Sequence, residues 1–171
     1  MAPTRKNRIV VMGVSGSGKS TLGQALAARL GVPFVEGDQL HPPRNVALMA
    51  AGTPFTDADR QGWLEAVAAR LKAAEDTGAV VACSALKRSY RDLLRRAAPG
   101  LRIVHLSGSA ALLAERLRAR PGHYMPASLL PSQLQTLEPP QADEQALTLA
   151  ITEPAAVLVE AVIRHFDETP A

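Results

Sequence analysis

The chain has 171 residues, 47% hydrophobic and 20% charged, with a formal net charge of +3 and a sequence pI near 9.4. That size suits one domain, residues 1–171, with a buried core, and the composition excludes a disordered chain. Basic residues are dispersed and aromatics reach only 4%, so no nucleic-acid surface is expected; no apolar run approaches the ~20 residues of a membrane span, and the lone Cys83 excludes an internal disulfide.

The first residues, "MAPTRKNRIVVMG", lack an apolar signal-peptide core, and the single cysteine suits a reducing compartment, so a cytoplasmic location is expected. "RIVVMG" (8–13) is β-branched and stops at glycine, as a buried strand does. Helix 19–31 carries Leu22, Leu26 and Leu30 at spacing four and ends at Gly31. "PFVEGD" (33–38) is a second strand, and a short helix is expected around residues 46–49. Thr56 with Asp59 gives a capping-box signature for helix 56–75, whose apolar stripe is Trp63, Leu64, Val67, Leu71 and Ala74. A third strand (79–84) leads into helix 85–98, with Ser84 as its expected N-cap. Strand 101–108 and helix 111–120 follow; segment 121–140 is rich in proline and glycine, with a short helix expected after Pro131. Strand 146–152 and helix 154–166 close the chain. Strictly alternating strands and helices imply a parallel sheet with right-handed crossovers, covered on both faces: a three-layer α/β fold.

Between the first strand and first helix stands "MGVSGSGKST". Gly13, four residues, then Gly18-Lys19-Ser20 satisfies G-x-x-x-x-G-K-[ST] in the strand–loop–helix context that the motif requires. Glycines at Gly13, Gly16 and Gly18 let the N–H groups of Val14, Ser15, Ser17 and their neighbours, through Thr21, converge on one concavity at a helix N-terminus. Lys19 reaches the β- and γ-phosphates, and the Ser20 hydroxyl suits Mg²⁺. ATP with Mg²⁺ is the expected ligand.

The remaining chemistry belongs at the carboxyl ends of the other strands. Asp38 reads either as a turn aspartate or, opposite a phosphate loop, as the base for an attacking hydroxyl and a metal-organising carboxylate. The third strand ends Cys83-Ser84, without the acid usual there in motor ATPases. Arg60 shares the apolar stripe of its helix, so it is either neutralised by Asp57, Asp59 or another acid, or grips an anionic substrate in a cleft. Lys87 and Arg91, one helical turn apart, either converge on that cleft or are solvated. Segment 121–140 suits a lid, with Arg116 or Arg120 placed to neutralise the transferring group; His123 is a phosphate contact or a surface histidine.

Four stretches, "MGVSGSGKST", "EGDQLHPPRNVALMAAGTPFTDADRQGWL", "CSALKRSYRDLLR" and "HYMPASLLPSQLQTLEPP", together resemble the gluconate kinases (gluconokinases), small-molecule kinases with a phosphate-binding loop. The resemblance implies ATP-dependent phosphorylation of D-gluconate at its 6-hydroxyl, a five-stranded parallel sheet in the order 2-3-1-4-5, Mg²⁺, a lid and a homodimer. It puts Asp38 at the family's catalytic or metal-organising aspartate. His41, Arg44, Asn45, Arg60, Lys87 and Arg91 fall on the substrate side, and Arg116, Arg120 and His123 at the lid. Shikimate phosphorylation on the same scaffold is the alternative, and a nucleotide-binding regulator the more remote one.

Overall fold

The computed structural model describes residues 7–119 and 129–168. Its five strands are β1 (Arg8–Met12), β2 (Phe34–Glu36), β3 (Ala79–Ala82), β4 (Arg102–Ser107) and β5 (Leu147–Ala150). They form one parallel sheet in the order β2-β3-β1-β4-β5, as expected. The helices are α1 (Lys19–Leu30), α2 (Pro43–Ala50), α3 (Asp57–Ala73), α4 (Arg88–Ala97), α5 (Ala110–Arg118), α6 (Leu130–Thr136) and α7 (Ala155–Glu168).

Alternation along the central strand divides the core in two. Ile9 and Val11 point to one face, where Leu22 and Leu26 of α1, Leu113 of α5 and Val159 and Val162 of α7 cover them. Val10 and Met12 point to the other, under Trp63, Leu64, Val67 and Leu71 of α3 and Leu94 of α4. Every residue from Ile9 to Met12 is fully buried, which accounts for a continuous apolar run instead of an alternating one.

Two boundaries differ from the sequence reading. β3 ends at Ala82, and α4 starts at Arg88 with Lys87, not Ser84, as its N-cap. Between them Ala85 takes a left-handed φ of 46°, so the chain turns before the helix can begin. α3 keeps its predicted cap: Thr56 Oγ1 accepts the Asp59 N–H, and Asp59 returns a carboxylate to the Thr56 N–H.

Candidate active site

The phosphate-binding loop lies between β1 and α1. Gly16 and Gly18 have φ of 85° and 90°, and a Cβ on Gly16 would stand 2.9 Å from the Leu113 carbonyl oxygen, so this backbone path requires glycine. Lys19 Nζ donates to the Val14 carbonyl at 3.1 Å and the Ser20 hydroxyl donates to the Glu36 carboxylate. The Ser17 hydroxyl is buried and, among the described residues, meets no hydrogen-bond partner. The glycine-bent loop at a helix N-terminus, with Lys19 and Ser20 on the cavity wall, fits a nucleotide phosphate.

Facing this loop, the end of β2 turns tightly through Gly37–Leu40. Gly37 runs so close to β3 that a Cβ there would lie 2.2 Å from the Ala82 carbonyl oxygen. Trp63 Nε1 donates to the Gly37 carbonyl at 2.8 Å, and the turn delivers Asp38 to the cleft. Lys19, Ser20, Asp38, His41, Arg60, Ser84 and Gln133 line one cavity, with Met49, Phe55 and Trp63 as its apolar wall. Ser20, Glu36 and Asp38 supply the hard oxygen donors that suit Mg²⁺, a metal that usually takes one or two carboxylates and completes its shell with phosphate and water.

The position of Arg60 leaves both of its readings in place. Its side chain is nearly buried and lines the cavity, while Nη1 contacts the Tyr90 hydroxyl at 3.2 Å and the Asp57 carboxylate at 3.9 Å. Tyr90 also donates to Asp57, and Lys87 Nζ reaches Asp57 at 3.0 Å. These two donors hold the Asp57 carboxyl below its ordinary range, the Tyr90 hydroxyl first.

Three expected substrate-side cations stand elsewhere. Arg91 is wholly buried behind the cleft: Nε and Nη2 clamp Glu144 at 2.7 and 3.0 Å, and Nη1 donates to the carbonyls of Ala85 and Leu86. Lys87 is spent on Asp57 at the cleft's outer edge. Arg44 is exposed on α2 and pairs with Asp59 at 3.5 Å. Lys87 and Arg91 do not converge on the cleft: Lys87 is the N-cap of α4 and pairs with Asp57, while Arg91 within the helix pairs with Glu144. His41 does line the cleft, but its ring stacks on Trp63 at 4.3 Å, its Nδ1 meets Asn45 and its Nε2 lies 4.0 Å from Asp38. Burial drops the His41 pKa to about 4, against the opposing pull of Asp38. Burial also pushes the Cys83 thiol up to about 12, which leaves it an inert core group.

Two residues escaped the sequence reading. From the sequence Glu36 reads only as the end of a strand, although an acid two positions before Asp38 is a visible signal. Gln133 on α6 accepts the Ser15 N–H at 2.7 Å across 118 positions, a contact that no local pattern announces.

A second cavity of about 400 Å³ opens behind the loop, between Gly16, Ser17, Thr21, Arg116, Ile151, Glu153, Pro154 and Leu158. Its size suits a small-ligand group such as a nucleobase. Arg116 donates to the Ile151 carbonyl at 2.6 Å and so borders this cavity rather than the acceptor cleft. Arg120 and His123 lie outside the described residues, as does the first part of the expected lid. The later part is packed down: Leu129 and Leu130 are buried, and Glu138 Oε1 accepts the Arg88 N–H at the start of α4.

Residues 9–140 match a family model described as an AAA domain. A gluconokinase of Gluconobacter oxydans is 51% identical over 162 residues, covering 92% of this chain and 90% of that protein. The crystal structure of a gluconokinase from Sinorhizobium meliloti superimposes with a TM-score of 0.87 at 50% identity, over 95% of this chain and 92% of that one. An unliganded sugar kinase from Janibacter gives a TM-score of 0.90 at 43% identity, over 96% of both chains. A shikimate kinase from Aquifex aeolicus, at a TM-score of 0.64 and 15% identity over 94% of this chain and 96% of that one, shares the fold alone.

Proposed function

The chain belongs to the gluconokinase family, and on that premise we propose that it transfers the γ-phosphoryl group of ATP to the 6-hydroxyl of D-gluconate, giving 6-phospho-D-gluconate and ADP. The observation that carries the reading is that Lys19 and Ser20 of the phosphate loop share one cleft with Asp38 and Arg60.

In this reading the loop amides and Lys19 hold the triphosphate, and Ser20, with Asp38 and Glu36, would hold Mg²⁺. When bound, that ion neutralises phosphate charge. Arg60 pairs with the gluconate carboxylate, a strong charge-assisted contact in a largely desolvated pocket. That grip leaves the far end of the sugar acid beside the phosphate loop. Asp38 orients the 6-hydroxyl and accepts its proton as the new P–O bond forms and the bond to the ADP oxygen breaks. Arg120 completes the charge balance from the lid, with His123 as a further phosphate contact, while Arg116 borders the nucleotide cavity. The nucleobase takes the cavity between Arg116 and Pro154.

ATP as co-substrate and a buried free thiol suit a cytoplasmic enzyme. Among the described residues no helix is long and apolar enough to cross a membrane. The homodimer rests on the family resemblance, and sedimentation equilibrium tests it. Phosphorus–proton correlation NMR of the purified product tests the regiochemistry. Coupling to the two C6 protons is expected, and coupling to a secondary carbinol proton would overturn the assignment.

A further inference from the structure

Behind Asp38 runs a line of three groups in which the Asn45 and His41 side chains are buried. Asn45 Nδ2 lies 2.7 Å from the Asp59 carbonyl oxygen. A carbonyl only accepts, so this contact fixes which end of the amide is nitrogen. The same Nδ2 lies 3.2 Å from His41 Nδ1. An amide nitrogen only donates, so Nδ1 is the accepting nitrogen, unprotonated, and the ring proton sits on Nε2. Nε2 in turn faces Asp38 Oδ1 at 4.0 Å, about 1 Å beyond hydrogen-bond range.

The ring has little freedom to do otherwise. It stacks on Trp63 at an interplanar angle of 12°, and Phe55 meets it at 5.4 Å. Trp63 is itself tied to the carbonyl of Gly37, the residue before Asp38. Asn45 and His41 are 1% and 8% exposed. With the opposite tautomer, Nε2 would present a lone pair to a carboxylate and Asn45 would face an N–H, so both contacts would turn repulsive.

We propose that Asn45 and His41 are positioning residues for Asp38: Asn45 fixes the Nε2–H tautomer of His41, and the N–H that this turns toward Asp38 at 4.0 Å orients the carboxylate electrostatically toward the acceptor hydroxyl. The idea rests on the reading of Asp38 given above and goes beyond it, since it turns His41 from a substrate ligand into a support for the base.

Two measurements test it. Long-range proton–nitrogen NMR of the ¹⁵N-labelled, ligand-free protein reports the His41 tautomer, with the signal assigned by its loss in His41→Gln. A pyridine-type Nδ1 and a pyrrole-type Nε2 are expected near neutral pH; an Nδ1–H tautomer or an imidazolium would overturn the proposal, whatever the enzyme phosphorylates. Steady-state kinetics then compare His41→Leu with His41→Gln, whose side-chain amide returns a donor near the Nε2 position. His41→Leu is expected to lower kcat about 10²-fold with KM for gluconate and ATP little changed, and His41→Gln to recover most of that loss. Equal kcat losses in the two variants, or a loss confined to KM for gluconate, would show that the ring binds substrate or only fills space. Should His41→Leu not fold, the tautomer in the wild-type protein still decides.

Discussion

Arg91 and Glu144 form an ion pair in which neither side chain is exposed, and the same guanidinium holds the carbonyls of Ala85 and Leu86. Arg95 adds a third contact to Glu144 at 2.8 Å. Burial alone would push the Glu144 carboxyl up. Hydrogen bonds from Arg91, the Gln141 N–H and Arg95 outweigh it and bring the pKa down to about 2. The network secures the left-handed turn at Ala85, whose neighbours Ser84 and Leu86 line the cleft.

Removing one partner strands the other charge in the core. Glu144→Ala is therefore expected to cost about 3 kcal/mol or more of unfolding free energy. Urea denaturation checks it; a loss within the ~0.5 kcal/mol typical of surface changes would contradict the buried pair.

Arg60 lines the cleft with only a long ion pair among the described residues: its nearest carboxylate, on Asp57, is 3.9 Å away and is shared with Tyr90 and Lys87. Arg60→Ala is expected to raise KM for gluconate about tenfold or more while KM for ATP changes little. Equal effects on both constants would make Arg60 a structural residue.

The contrast between Arg60 and Arg91 shows where sequence reasoning reached and where it stopped. The phosphate loop was legible from local spacing and the parallel sheet from the alternation of strands and helices, whereas the strand order came from the family resemblance; Asp38 lines the cleft, as its place after β2 suggests. Arg60 was ambiguous because a charge on an apolar stripe satisfies two physical accounts, and the structure places it both beside Asp57 and on the cavity wall. Lys87 and Arg91 read as one helical turn apart because the Ala85 turn is invisible in the sequence; it delays α4 to Arg88 and leaves Lys87 as the N-cap. The partner of Arg91 lies 53 positions away and that of Ser15 lies 118 away, beyond any periodicity.

The pH dependence of stability has a definite sign. Burial holds His41 near a pKa of 4, against 6.5 for an ordinary histidine, and burial followed by the charge of Arg91 lowers His105 as well. As pH falls below 6.5 the unfolded chain takes up protons at these positions that the folded chain refuses. Stability therefore declines from about pH 6.5 to about 4, and Glu144 extends the loss from 4.5 toward 2. Urea midpoints across this range should fall steadily with acid; a constant midpoint down to about pH 4.5 would contradict the buried neutral rings.

The most direct test of the account is a coupled assay of ATP consumption by the purified protein. Its acceptors are D-gluconate, other sugar acids and shikimate, with Lys19→Ala as the control. Turnover with D-gluconate well above that with shikimate is expected, with none from Lys19→Ala despite an unchanged circular dichroism spectrum and melting temperature. Turnover that favours shikimate, no response to any acceptor, or full activity in Lys19→Ala would contradict it.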